Sequence, residues 1–268
     1  MSLEGKPMTE PIPLLDHPLD APTAFSPEDL MNAVRAERNL EPEPIPEICI
    51  LEFDGDLTDW LVSTGAAQRF EGWACFHTTM YSLAVDGIRC AIVPRTIGGP
   101  YAVLVAEQMA ISGARLLLGL TSAGRVSSSM PVPGLVVATR AIRDEGTSYH
   151  YLPPAPAIDA PSKVSNLLES ELRIQPLPVL SGTVWTTDAP YRETAIQMAE
   201  HAKAGVLAVE MQAASLFAFS KARGFPVGLV AYVTNSIEST GKEFDKGSRQ
   251  LEFEILRGIC HAGERFVS

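Results

Sequence analysis

The chain has few cysteines, and none sit in a pattern that implies a bond. Cys49, Cys75, Cys90 and Cys260 form no C-x-x-C pair, and three of them lie in apolar, strand-like runs. They read as reduced core thiols, as expected of a cytoplasmic protein. The histidines, His17, His77, His150, His201 and His261, show no H-E-x-x-H or other metal-ligand spacing, so no metal is expected. No apolar run reaches the roughly 18 residues of a membrane span. The polar start Met1–Glu10 does not read as a signal peptide. There is no G-x-G-x-x-G, no G-x-x-x-x-G-K-[ST] and no G-x-S-x-G, which removes the usual dinucleotide, P-loop and α/β-hydrolase readings. Basic charge is also scarce: 21 Lys+Arg stand against 32 Asp+Glu, a formal net charge of −11. A general nucleic-acid binder needs a basic face to displace counterions, so that class is excluded. A small anionic ligand is not excluded, because a few local arginines suffice to hold it.

What is present is an ordinary globular composition of 268 residues, 46 % hydrophobic and 20 % charged. A chain of that length buries about three quarters of its unfolded surface and needs no staples. Residues 1–46 are rich in proline and read as an extended arm, with one helix over Pro27–Arg38 capped by Ser26. From residue 47 to 268 the rhythm is that of one α/β domain. Strands are expected over Glu47–Phe53, Ile88–Pro94, Ala114–Leu120, Gly134–Ile142, Leu177–Val184, Val206–Val209 and Pro226–Thr234. Helices are expected over Leu57–Arg69, from Gly98-Gly99-Pro100 through Ile111, and over Asp159–Leu172, Tyr191–Lys203, Met211–Arg223 and Glu243–Glu264. Such alternation predicts a largely parallel sheet covered on both faces.

The chemistry concentrates at strand ends, the edge where open α/β sheets bind ligands. Glu210 is the only formal charge in Gly205–Ser220, between a strand and a helix. A carboxylate in apolar surroundings must be compensated, so Glu210 is either a helix cap or internal ion-pair partner, or a site residue. Gln212 adds an amide beside it. Thr234-Asn235-Ser236 ends another apolar strand, either as capping residues or as ligand contacts. Thr121-Ser122-Ala123-Gly124 ends a third, with small residues and backbone N–H groups suited to an anion nest. Together these ends suit a neutral polyhydroxyl ligand with a hydrogen-bonding ring.

Val209-Glu210-Met211-Gln212-Ala213-Ala214 resembles the V-E-M-E-A-A segment of the nucleoside phosphorylase family, which includes uridine and purine nucleoside phosphorylases and nucleosidases. Thr186-Thr187-Asp188-Ala189-Pro190-Tyr191-Arg192-Glu193 is similar to its S/T-S/T-D-x-x-Y-R-E segment, and Arg143–Ser148 to its R-x-D/E-G-A/T-S segment. Gly98-Gly99-Pro100 and Ser122-Ala123-Gly124 match its two glycine loops, in family order. The resemblance implies a three-layer α/β/α fold with a twisted mixed sheet, assembled as a homodimer or homohexamer. It implies cleavage of the N-glycosidic bond of a nucleoside by phosphate or water, without a cofactor and with phosphate as co-substrate. By the same resemblance Met211 packs under the ribose and Asn235 faces the base where purine-cleaving members carry aspartate. Pro190 and Tyr191 form the base-stacking wall, and His17 is a candidate for the 5′-hydroxyl.

The departures from the pattern fall on charge. The second glutamate of V-E-M-E is Gln212, which gives up the negative charge facing a cationic sugar, so Gln212→Glu is expected to raise activity. The phosphate loop G-D-P-x-R aligns with Phe53-Asp54-Gly55-Asp56-Leu57, placing Leu57 at its arginine. The arginine before the second glycine loop aligns with Gly119, and the neighbour-subunit arginine with Phe76-His77. Neither Leu nor Gly can supply bidentate phosphate capture. Three explanations stay open. Arg95 and Arg125 take over the phosphate, water is the acceptor with Asp54 or Asp56 as base, or the cleft binds a nucleoside without turning it over. Asp54 and Asp56 read equally as turn caps before the following helix.

Overall fold

The structure, a computed structural model, describes residues 12–16, 18–236 and 249–268. Helix α1 (Pro27–Arg38) forms where the capping signal predicts it. Ser26 Oγ accepts from the Asp29 N–H at 3.1 Å, and the Asp29 carboxylate accepts from the Ser26 N–H at 3.2 Å. After it come β1 (Ile48–Glu52), α2 (Asp56–Ser63), β2 (Ala67–Arg69), β3 (Tyr81–Val85), β4 (Ile88–Pro94), α3 (Gly99–Ala110), β5 (Leu116–Arg125), β6 (Gly134–Asp144) and β7 (Ala157–Asp159). Then follow α4 (Ser162–Leu172), β8 (Val179–Thr187), α5 (Ala195–Lys203), β9 (Ala208–Glu210), α6 (Ala213–Arg223), β10 (Val227–Ser236) and α7 (Arg249–Val267).

Several expected boundaries shift for local reasons. The helix expected over Leu57–Arg69 stops at Ser63, because Gly65 turns the chain at φ +76 and residues 67–69 pair with β3 instead. Residues 157–159 are a strand against β6, and α4 begins only after Pro161. The helix expected from Tyr191 is a 3-10 turn over Pro190–Arg192, followed by α5, whose Thr194 and Gln197 form a second capping box. Of the closing helix, residues 243–248 lie outside the described residues.

The sheet runs in the order β10-β6-β8-β9-β5-β1-β4-β3-β2, and β10 also pairs with β5. Strands β5, β10, β6, β8 and β9 therefore close into a ring, from which β1, β4, β3 and β2 extend. Strands β1, β4, β5 and β10 share one direction, while β6, β8 and β9 run the opposite way. The expected largely parallel sheet is thus mixed, as the family resemblance implied. One core cluster packs α1, α3 and α6 on one face, with Met31, Met109 and Phe217 among its residues. The other packs α2, α4 and α7 on the opposite face, with Leu57, Leu168 and Ile259. No described helix is long and apolar enough to cross a membrane.

Candidate active site

Strand register brings the suspected residues together. Ser122 pairs with Tyr232, Ala123 with Val233 and Gly124 with Asn235, while Gly124 also faces Val209 on β9. Strand β9 runs antiparallel to β5, so Glu210 does not lie at a shared carboxyl edge as the sequence suggested. It adjoins Ser122–Gly124, which lie within β5 and not in a loop past a strand end as the sequence suggested, because β9 is only three residues long and starts beside Arg125. Met211 and Thr234 are half-buried and Ser122 is exposed. The side chain of Asn235 and all of His17 lie outside the described residues.

Glu210 is 4 % exposed and fully engaged by the chain. One oxygen accepts from the N–H groups of Gln212 at 2.6 Å and Ala213 at 2.8 Å, capping α6. The other accepts from Thr186 Oγ1 at 2.5 Å, and that oxygen itself accepts from the Ala214 N–H at 3.0 Å. Burial pushes the Glu210 carboxyl up to about 7, against the pull of these bonds. Glu210 thus caps α6, one of the roles open in the sequence, and no arginine pairs with it among the described residues. Gln212 is also buried, its Oε1 accepting from the Met211 N–H at 3.1 Å. A carboxylate at 212 would therefore enter a buried site next to Glu210.

A neighbouring buried acid, Glu145, was missed as an individual residue. Its Oε2 accepts from the Ser148 N–H at 2.9 Å and from Ser215 Oγ at 2.5 Å. The only sequence signal was its place inside the Arg143–Ser148 segment. Arg143 is 5 % exposed and ties that segment down, donating to Ser148 Oγ at 2.7 Å and to the Pro153 carbonyl at 2.8 Å. Gly99 closes this cluster against α3: a Cβ there would stand 2.1 Å from Ser215 Oγ. Gly99→Ala is expected to push Ser215 off Glu145 and cost about 3 kcal/mol, combining overpacking with a lost buried bond. Urea denaturation of the variant checks this, and a loss under about 0.5 kcal/mol would contradict the packing described.

At the acceptor side, Asp54 answers the last residues of β5. Its carboxylate accepts from the Ser122 N–H at 3.0 Å and from Ser122 Oγ at 2.8 Å. Glu52, not singled out in the sequence, orders the turn after β1 that carries Asp54. It is buried, and accepts from the Gly55 N–H at 2.6 Å and Thr58 Oγ1 at 2.8 Å, and burial raises its carboxyl above the ordinary range. Arg95 does not point freely at Ser122–Gly124. It pairs with Asp59 and lies across Gly55, where a Cβ would come within 2.6 Å of it. Arg125 ends β5, half-buried and adjoining Ala208. A guanidinium that sequence reasoning missed is Arg249 of α7, which reaches Asp56 at 3.2 Å and also pairs with Glu252. Gly119 is locked as it stands, since a Cβ would already meet Phe53 at 3.1 Å and Leu229 at 3.2 Å, leaving no room for an arginine. Tyr191 is 100 % exposed, so the base-stacking wall expected of it is not formed within one chain.

The mixed sheet with helices on both faces is the fold of a family that comparison with known proteins identifies. The family model described as "Phosphorylase superfamily" matches residues 48–257, and the chain belongs to that family. Among curated proteins it is similar to the guanosine phosphorylase of Halorubrum lacusprofundi, 30 % identical over 157 residues. That match covers 57 % of this chain, and the chain spans 63 % of that relative's length. It is also similar to the uridine phosphorylase of Salmonella typhimurium, 24 % identical over 255 residues, covering 89 % of this chain and 94 % of that one. The uridine phosphorylase of Escherichia coli is 23 % identical over 205 residues, 70 % of this chain and 80 % of its own length. The resemblance read from the sequence, the fold class it implied and the reading as an enzyme all stand.

Proposed function

We propose that the chain cleaves the N-glycosidic bond of a nucleoside and transfers the pentosyl group to phosphate. The observation that carries this reading is the meeting of Ser122–Gly124, Asp54 and Glu210–Gln212 on one rim of the strand ring, in a chain whose relatives are named guanosine and uridine phosphorylase. In the reaction the C1′–N bond breaks, the base leaves with the electron pair and takes a proton, and a phosphate oxygen bonds to C1′. The chain's tasks are to orient the sugar over Met211, to hold the acceptor near Ser122, and to bind the leaving base. Asn235 can hydrogen-bond a ring oxygen or nitrogen but is a poor proton donor, which favours bases that leave with little protonation. A homodimer or homohexamer is part of the same proposal, because the exposed Tyr191 needs a neighbouring surface to form a wall around the base.

One observation favours a second reading, with water as acceptor. The donors of Ser122 already hold a carboxylate, and Arg95 is tied to Asp59. Asp54 then acts as base toward water. Guanosine, inosine, adenosine and uridine incubated with and without phosphate separate the two. Base release that needs phosphate and yields pentose 1-phosphate is the expected result. Release of free pentose without phosphate moves the function to hydrolysis, and no release from any nucleoside overturns both.

A further inference from the structure

Asp54 meets Ser122 from a turn that is held on two sides. From within, the buried Glu52 carboxylate accepts from the N–H groups of Gly55 and Thr58 and from Thr58 Oγ1. From outside comes Arg95, the first residue after β4. Its N–H donates to the Glu52 carbonyl at 2.8 Å. Its backbone stands at φ +61, the left-handed region that a residue with a Cβ rarely adopts. Its side chain crosses Gly55, where a Cβ would stand 2.6 Å from Cγ and 2.8 Å from Cζ, and pairs with Asp59 in the first turn of α2. Gly55 is itself at φ +90, so only glycine both takes that conformation without strain and leaves room for the guanidinium. Backbone strain such as that of Arg95 persists where the surroundings hold it, and it clusters at functional sites. Glycine at 95 would relieve it, but would leave the turn uncovered.

We infer that Arg95 is a positioning residue of the proposed reaction, its guanidinium bound to Asp59 across Gly55 so that the turn presents Asp54 to Ser122. The inference rests on the reading that Asp54 and Ser122 hold the acceptor, and it gives Arg95 a different task from the phosphate capture left open by the sequence. A guanidinium that captured phosphate would have to leave Asp59, and removal of Asp59 would then help. One that positions the turn needs Asp59, and removal of either partner does the same harm. The two side chains are 53 % and 60 % exposed, so their pairing contributes little to folding. Turnover is more sensitive, because a small displacement of a group beside the reacting atoms is felt strongly in the rate.

The test compares Arg95→Met, Asp59→Asn, the double variant, Arg95→Lys and Arg95→Gly in steady-state base release, with nucleoside and phosphate each varied, alongside thermal melting. Arg95→Met and Asp59→Asn are each expected to lower kcat about tenfold with KM for phosphate within about twofold, and the double variant to fall no further than either. Arg95→Lys keeps a cation for Asp59 and is expected to recover about half of the native turnover. Arg95→Gly is expected to lose turnover like Arg95→Met without a fall in melting temperature, because the left-handed strain goes with the side chain. Turnover of Arg95→Met or Asp59→Asn within about twofold of native overturns the inference. So does a rise in KM for phosphate in Arg95→Met alone, or a fall in Asp59→Asn, either of which makes Arg95 a phosphate ligand. Losses that add in the double variant overturn it, since the two residues then act apart. Loss confined to variants that melt lower makes the role purely structural and overturns it too. If the native chain releases base without phosphate, the proposed acceptor fails, while the same kcat comparison still decides this inference, because the turn carries Asp54 under either acceptor. A native chain that releases no base overturns both.

Discussion

Asp54→Ala is expected to lower base release about a hundredfold while leaving the fold intact, because loss of loop positioning alone costs about that much. The residue holds Ser122 through both its N–H and its hydroxyl, at 3.0 and 2.8 Å, and Glu52 holds the turn that carries Asp54 through Gly55 and Thr58. Alanine removes both contacts to Ser122 near the end of β5, so the acceptor loses its position whichever acceptor it is. Steady-state assays with and without phosphate, alongside thermal melting, measure the effect. Turnover within about threefold of the native chain would mean that the Ser122 end of β5 does not hold the acceptor. Asp54→Asn sharpens the result. Its carbonyl can still accept from the Ser122 N–H and its amide can donate to Ser122 Oγ, but the negative charge is gone. Under the proposed function this variant keeps most of its turnover and its KM for phosphate falls, because two anions no longer share one serine. A fall to the level of Asp54→Ala would identify the charge itself as the base and water as the acceptor.

Glu210→Gln is expected to make the protein more stable at pH 8, by about 3–4 kcal/mol, which is what a carboxyl raised from 4.5 to about 7 costs when ionised. Below about pH 4.5 the carboxyl is protonated in both the folded and the unfolded chain, and the site carries no penalty. As the pH climbs from there toward 7 the unfolded chain gives up its proton first, so stability is lost across that window and levels off above it. Glutamine matches the protonated form bond for bond. Its carbonyl can accept from the N–H groups of Gln212 and Ala213, and its amide can donate to Thr186 Oγ1, which retains the Ala214 N–H. Urea denaturation from pH 4.5 to 8.5 should show a native decline through this window that the variant lacks. A variant less stable than the native chain at pH 8 would mean that the ionised carboxylate earns its place in the α6 cap.

Much of this architecture was legible beforehand. Helix α1 follows from Ser26 and Pro27, and strand β4 was expected over its observed span. Local signals of this kind act within a few residues, and the structure keeps them. The V-E-M, T-T-D and R-D-E-G-T-S segments also marked the rim, since they carry their pattern in consecutive residues. Less legible were the ends of α2 and α5, where a glycine and a 3-10 turn override helical periodicity.

The alternation of strands and helices, the acid excess and the ordered motifs were determined by the sequence itself, because burial periodicity and motif spacing are properties of neighbouring residues. Tertiary structure alone decided the reversed direction of β9, the closing of the ring by β10 and β5, and the choice of partner for each charge. Arg95 meets Asp59 and Arg249 meets Asp56 across 193 positions of chain, while Asp54 crosses 68 to reach Ser122. Gly119 cannot be an arginine because Phe53, just past β1, and Leu229 of β10 fill the space. Such partnerships depend on which distant backbones come within a few ångströms, and only packing fixes that.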